Sequence, residues 1–192
     1  IKNGSTFSAN FKVNTGKTSA SDYGSPYIGR FFGNVTVDTG AELNVLNGGY
    51  DLEVYGTILN NGIISGSGTS KLIVRGLSLV NNNSMTVGHL AFDTSSTITG
   101  AGSYTNGTVF INASGNVSLG NNVTFSPSAS FTINNGGILN PNNFTFTINS
   151  GTLLANSGST LLNSGLLRTQ GAVDLNVRNG SNFNTNVKIN TG

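Results

Sequence analysis

Phe146-Thr147-Ile148-Asn149-Ser150-Gly151 is the stretch from which the fold is read. Its first three residues run apolar, polar, apolar. In an extended chain that period of two sends Phe146 and Ile148 to one side and Thr147 to the other. Asn, a small residue and Gly follow, types that turn a chain rather than extend it. The same unit stands at Phe11-Lys12-Val13-Asn14-Thr15-Gly16, at Val35-Thr36-Val37-Asp38-Thr39-Gly40 and at Val187-Lys188-Ile189-Asn190-Thr191-Gly192. Looser copies begin at Leu52, Leu72, Leu90, Val109, Phe131 and Leu175. Ten copies from Phe11 to Val187 leave nine intervals over 176 residues, with single spacings from 12 to 29. The mean, about 20, lies where solenoid repeats fall. Shorter apolar pieces sit between the copies, at Leu43–Val45, Leu77–Leu79, Val117–Leu119, Leu153–Leu154, Leu161–Leu162 and Leu166–Leu167.

A triplet cannot close a core by itself. Stacked on the same triplet of the next coil, about 4.8 Å away, it becomes part of a long parallel sheet over a continuous apolar interior. The middle residues, mostly Thr, Lys, Glu or Asn, then face water. Asn, Asp and Gly fall at the corners, where positive φ is needed, and Asn above Asn can exchange amide hydrogen bonds from coil to coil. The expected fold is all-β: a single parallel β-helix (β-solenoid) of about ten imperfect coils of roughly 20 residues, a rod on the order of 45–50 Å long. An antiparallel sandwich is the rival reading of many short strands with turn signals. In the solenoid, Val35, Val37, Leu52, Val54, Leu72, Val74, Val109, Ile111, Phe131, Ile133, Phe146 and Ile148 point inward.

Composition supports the all-β choice. Gly (27), Asn (30), Ser (23) and Thr (22) supply 102 of the 192 residues, while Met, Glu, Gln and Lys together supply nine. No window holds apolar residues at helical spacing for three turns. The absence of Cys excludes disulfides and Cys-based metal sites. No apolar run approaches the roughly 18 residues of a membrane span. The net charge of +2 comes without a basic cluster, so no nucleic-acid partner is expected.

Residues 1–33 differ in texture, with Phe7, Phe11, Tyr23, Tyr27, Phe31 and Phe32 beside Lys2, Lys12, Lys17 and Arg30. They read as an irregular N-terminal coil or cap over the first open edge, with an aromatic binding patch as the competing reading. Residues 34–192 read as solenoid coils with an uncapped C-terminal end, because the sequence stops inside a repeat unit. Either the segment is excised from a longer chain or another chain covers that end. Phe7 and Phe11 at one end and Val187 and Ile189 at the other are the candidate association ends.

Chemistry is confined to part of the chain. Residues 94–167 hold no Asp, Glu, Lys, Arg or His, 74 residues without a group suited to general acid–base work or hard-metal binding. Elsewhere the one constellation to weigh is Asp51 and Glu53, two apart and so on one strand face, with Arg75 about one repeat later. It could be a carboxylate pair with an Arg for a polysaccharide, or a solvated ladder of surface charges between coils, and the second is expected. His89, the single His, lacks companion ligands and reads as a surface or corner residue. Ser65-Gly66-Ser67-Gly68 and Gly100-Ala101-Gly102 lack the Lys and helix of a phosphate loop. Nine Asn-x-Ser/Thr triplets permit glycosylation without establishing it. No catalytic, cofactor-binding or metal-ligating residue is expected, and no cofactor.

With its Asn-Thr-Gly, Asn-Ser-Gly and Asp-Thr-Gly corners, and stretches such as Thr39-Gly40-Ala41-Glu42-Leu43-Asn44-Val45 and Ser157-Gly158-Ser159-Thr160-Leu161-Leu162-Asn163-Ser164-Gly165, the chain resembles the right-handed parallel β-helix regions of large secreted bacterial surface proteins. These are the filamentous-haemagglutinin-like adhesins and autotransporter passengers. The resemblance covers nearly all of residues 11–192 and transfers no site residue. It implies an extracellular or cell-surface location and a non-catalytic structural role: an adhesin-stalk segment, or a filament subunit assembled end to end. The implied partners are further copies of the chain, flanking coils of a longer chain, and surface glycans. The alternative is a carbohydrate-binding or polysaccharide-cleaving β-helix.

Overall fold

The computed structural model describes residues 4–20, 27–45, 49–162 and 164–190. Lys2, Asn3, Asp22, Tyr23 and the final Thr191-Gly192 of the last repeat unit lie outside the described residues. Twenty-seven short strands form three parallel sheets of nine strands each. Every coil gives one strand to sheet A, one to sheet B and one to sheet C, in that order. Sheet A begins at Thr6–Phe7 and ends at Val173–Val177; sheet B runs from Phe11–Val13 to Asn182–Phe183, and sheet C from Gly16–Ala20 to Asn186–Asn190. The fold is thus the parallel β-solenoid expected, with about 8 turns spaced about 21 residues apart and no helix among the described residues. Eight strand spacings give a rod about 38 Å long.

Register is held along the whole stack. In sheet A one inward column runs Leu52, Leu72, Leu90, Val109, Phe131, Leu153, Leu175. The scattered spacings of the sequence repeat have their origin here. Intervals within sheet A are whole turns: 20 from Leu52 to Leu72, 18 to Leu90, 19 to Val109 and 22 to Phe131. Phe11 and Val35, however, belong to sheet B, and Phe146 and Val187 to sheet C. The interval of 12 from Leu175 to Val187 is therefore two-thirds of a turn, and the 29 from Phe146 to Leu175 is one turn and a third. All three sheets make the same demand, one apolar pair inward and then a bend, so one sequence unit serves all three.

The twelve residues expected inside are all buried, none above 1% exposed. Along the charge-free stretch the interior is filled by rings: Tyr104 stacks on Phe125 at 4.4 Å, and Phe131 meets Phe125 at 5.1 Å and Phe146 at 4.8 Å. Two asparagines enter sheet B itself with no exposed surface. Asn60 donates to Asn81 Oδ1 (2.8 Å) and to the Ser84 carbonyl (2.9 Å), and Asn81 to the Ser103 carbonyl (3.0 Å). Such bonds offset the desolvation of a buried amide.

At the corners glycine and asparagine divide the work that was expected of both. Gly40 and Gly151, the last residues of two copies of the unit, have φ of +79° and +74°. Among the described non-glycine residues only Asn142 and Asn143 have positive φ. The other corner asparagines keep ordinary backbone and act through their side chains. At the first coil the Phe7 and Phe11 rings pack on buried Phe31, with centroids 4.9 and 4.7 Å away. In the last coil Val187 is 40% and Ile189 67% exposed.

Candidate functional site: the outer face of sheet A

Alternation puts two outward positions on each sheet A strand: Asp51 and Glu53, then Lys71 and Ile73, His89 and Ala91, Thr108 and Phe110, all in register. A third column is formed by the residue that follows the last inward side chain of each strand, just as the chain bends. Read from coil to coil it is Phe32, Tyr55, Arg75, Asp93, Asn112, Asn134, Asn156, Arg178.

Successive members of that column are bonded to one another. Phe32 stacks on Tyr55 at 4.5 Å, and the Arg75 guanidinium lies 5.8 Å from the Tyr55 ring centre. Arg75 Nη2 pairs with Asp93 Oδ2 at 3.0 Å. Asn112 donates to Asp93 Oδ1 (2.6 Å), Asn134 to Asn112 (2.9 Å) and Asn156 to Asn134 (3.0 Å). The amide ladder expected from recurring corner Asn is present. Three of its rungs open β-turns: the Asn112, Asn134 and Asn156 carbonyls accept from Gly115, Gly137 and Ser159.

Asp51, Glu53 and Arg75 are brought onto this face, but Glu53 is not the solvated charge the sequence reading expected. Its side chain is only 7% exposed, because the residues around it are its own partners. It accepts from Arg30 Nε (2.9 Å), Tyr55 Oη (3.0 Å) and Arg75 Nη2 (3.2 Å). Asp51 lies apart from this cluster, 3.8 Å from Lys71. Loss of solvent raises its pKa above the usual Asp value, against the pull of Lys71. His89 sits on a strand rather than at a corner, half-buried, its ring 5.7 Å from that of Phe110. Burial, and then Lys71, lower its pKa, which favours the neutral imidazole.

Arg30, Tyr55, Asp93, Phe110 and the three asparagines were not singled out from the sequence. The signal was there: each column member from Tyr55 onward directly follows an apolar–x–apolar triplet of sheet A. It is obscured in the sequence because the same unit recurs in all three sheets. Between Ile73 and Phe110, above the small side chain of Ala91, lies a hollow of about 250 Å³, lined also by Lys71, Asp93, Asn112 and Asn134.

As for chemistry, Glu53 is held by three donors, and each oxygen of Asp93 has one. Among the described residues no group of three or more His, Cys, Asp or Glu could hold a metal ion. Ser65, in the glycine-rich stretch, donates to Glu42 and accepts from Asn44, each at 2.5 Å. Of the glycosylation triplets, the one at Asn106 is closed to modification because that side chain has no exposed surface. Asn112 is held within the ladder. Among the described residues no helix is long and apolar enough to cross a membrane.

Fold and face together define a three-sheet parallel β-solenoid with a bonded side-chain column along one corner. Compared with known proteins, the chain matches no family model, no curated protein and no solved structure.

Proposed function

We propose that this chain is a non-catalytic structural segment of an extracellular or cell-surface protein, a stiff solenoid spacer of the adhesin-stalk kind. The observation that carries the reading is the unbroken column from Phe32 to Asn156, in which side chains that could do chemistry bond to the next coil instead. Glu53 and Asp93 are each held by two or more donors. A general acid or base works by moving a proton to and from substrate, and both carboxylates are tied instead to donors of neighbouring coils. The extracellular setting rests on the resemblance of the corner units to secreted bacterial surface proteins. Further coils of a longer chain, or a second copy, are the proposed neighbours of the ends marked by Phe7 and Phe11 and by Val187 and Ile189.

Two measurements test this. Antibody labelling of intact producing cells should reach the protein. A reducing-sugar and unsaturated-product assay over a polysaccharide panel should read blank. Product formation abolished by Glu53→Gln in a folded chain would overturn the structural reading, as would protein found only inside the cell.

A further inference from the structure

We propose that the hollow over Ala91 binds one neutral sugar ring of a glycan, with Phe110 as its stacking surface and Asp93, Asn112 and Asn134 as partners for its hydroxyls. This adds an adhesive face to the spacer, which stands as a spacer with or without it.

The shape comes from one small residue. Ile73, Ala91 and Phe110 are consecutive members of one outward column. The methyl of Ala91 between two large side chains leaves a dip spanning two strand spacings, about 9.6 Å. The hollow of about 250 Å³ leaves room for a six-membered ring lying flat. Phe110 is half-buried at one rim of the hollow, and it leans on His89. A ring so placed offers a π face to the C–H side of a pyranose.

The polar edge is set before any ligand arrives. Each amide nitrogen has two N–H groups. The ladder takes one from Asn112 and one from Asn134, which leaves one on each. The Asp93 carboxylate is fixed from two sides by Arg75 and Asn112 and retains acceptor capacity. Such preorganised donors and acceptors lose little freedom on binding. On the other side of the column, His89 Nδ1 is buried without a hydrogen-bond partner.

Charge decides which sugar. Arg30, Lys71 and Arg75 are balanced by Asp51, Glu53 and Asp93, and His89 favours its neutral form. With no net charge on the face, a sulfated or uronic ring gains no attraction and meets the Asp93 carboxylate. A neutral hexose or N-acetylhexosamine does not.

The test is a printed array of neutral, sulfated and sialylated oligosaccharides probed with the chain, followed by titration of the best neutral binder. Phe110→Ala removes the stacking surface, and Ala91→Leu fills the hollow from its floor. Each should weaken binding at least tenfold. Leu154→Ala, two coils further along the same outward column, should leave it unchanged. Melting curves establish that the variants fold, and if Ala91→Leu does not, Phe110→Ala decides. No neutral glycan retained, retention of charged glycans alone, or binding indifferent to Phe110→Ala would each overturn the proposal.

Discussion

Glu53, Arg75 and Asp93 join three successive coils with ionised groups, while Asn112, Asn134 and Asn156 join the next three with amides. The strand spacing is the same in both regions, so the difference is chemical. A carboxylate only accepts and a guanidinium only donates. Charged rungs must therefore alternate, and two alike in succession repel. An asparagine donates and accepts, so it pairs with its own copy and can recur without change. The same contrast extends beyond the column. Among the described residues all six ion pairs join residues between Lys12 and Asp93. Beyond Asp93, for 74 residues, coils are joined by backbone, amides, hydroxyls and packed rings.

If the core is indifferent to this division, deleting a buried side chain should hurt both regions alike. Leu52→Ala in the charged region and Ile148→Ala in the uncharged one should each lose about 2–5 kcal/mol by denaturant unfolding. A loss near zero at either would show that the apolar pair there does not face inward. The rungs should differ. Glu53→Ala leaves Arg30 without its carboxylate and Arg75 with Asp93 alone, and should lose about 2–3 kcal/mol, the lower part of the range for a buried charge because both guanidinium groups can turn to water. Asn134→Ala, which interrupts the amide series, should lose about 1–2 kcal/mol. Repeated in 1 M salt, the Glu53 effect should shrink and the Asn134 effect should not. Equal salt dependence would erase the comparison.

The smallest effect is in pH. The folded pKa of His89 is lowered from about 6.5, so the unfolded chain binds its proton first as pH falls. The neutral imidazole's contribution is complete above that value and is lost as pH drops through the folded pKa. Asp51, whose folded pKa is raised above 3.8, has the opposite sign: its penalty grows as pH rises through the folded pKa. His89→Gln should flatten the fall in stability between pH 7 and 5 by a fraction of a kcal/mol, the ring being in contact with solvent. An unchanged slope would mean that His89 is not held in its neutral form.

The triplet Phe146-Thr147-Ile148 was enough to give strand phase, burial and parallel stacking, because a period of two and a turn signal are local properties. The column was only half legible. Asn112 and Asn134 follow the apolar triplets that begin at Val109 and Phe131, and amide bonding between such residues follows from the type alone. Tyr55 and Arg75 do not look like asparagine, and they join the column only once register is known. Phe110, the middle residue of Val109-Phe110-Ile111, was legible as outward, but that it stands beside Ala91 and Ile73 on neighbouring strands appears only with the register. Glu53 looked solvated because the sequence does not show that Arg30 and Tyr55 lie within reach.

The amide series also has a direction. Asn112, Asn134 and Asn156 each donate toward the preceding coil, so their dipoles add head to tail, and each polarises the next. The positive end abuts the Asp93 carboxylate. At the other end Asn156 Oδ1 is buried without a partner, one coil before the cation of Arg178. The rod thus carries a small macrodipole along one corner, with an anion at its head and a cation beyond its tail. A duplicated coil bearing Asn would extend that dipole in place, whereas a single coil inserted among the charged rungs would put like beside like. Length in such a protein can grow most freely where the charges have been left out.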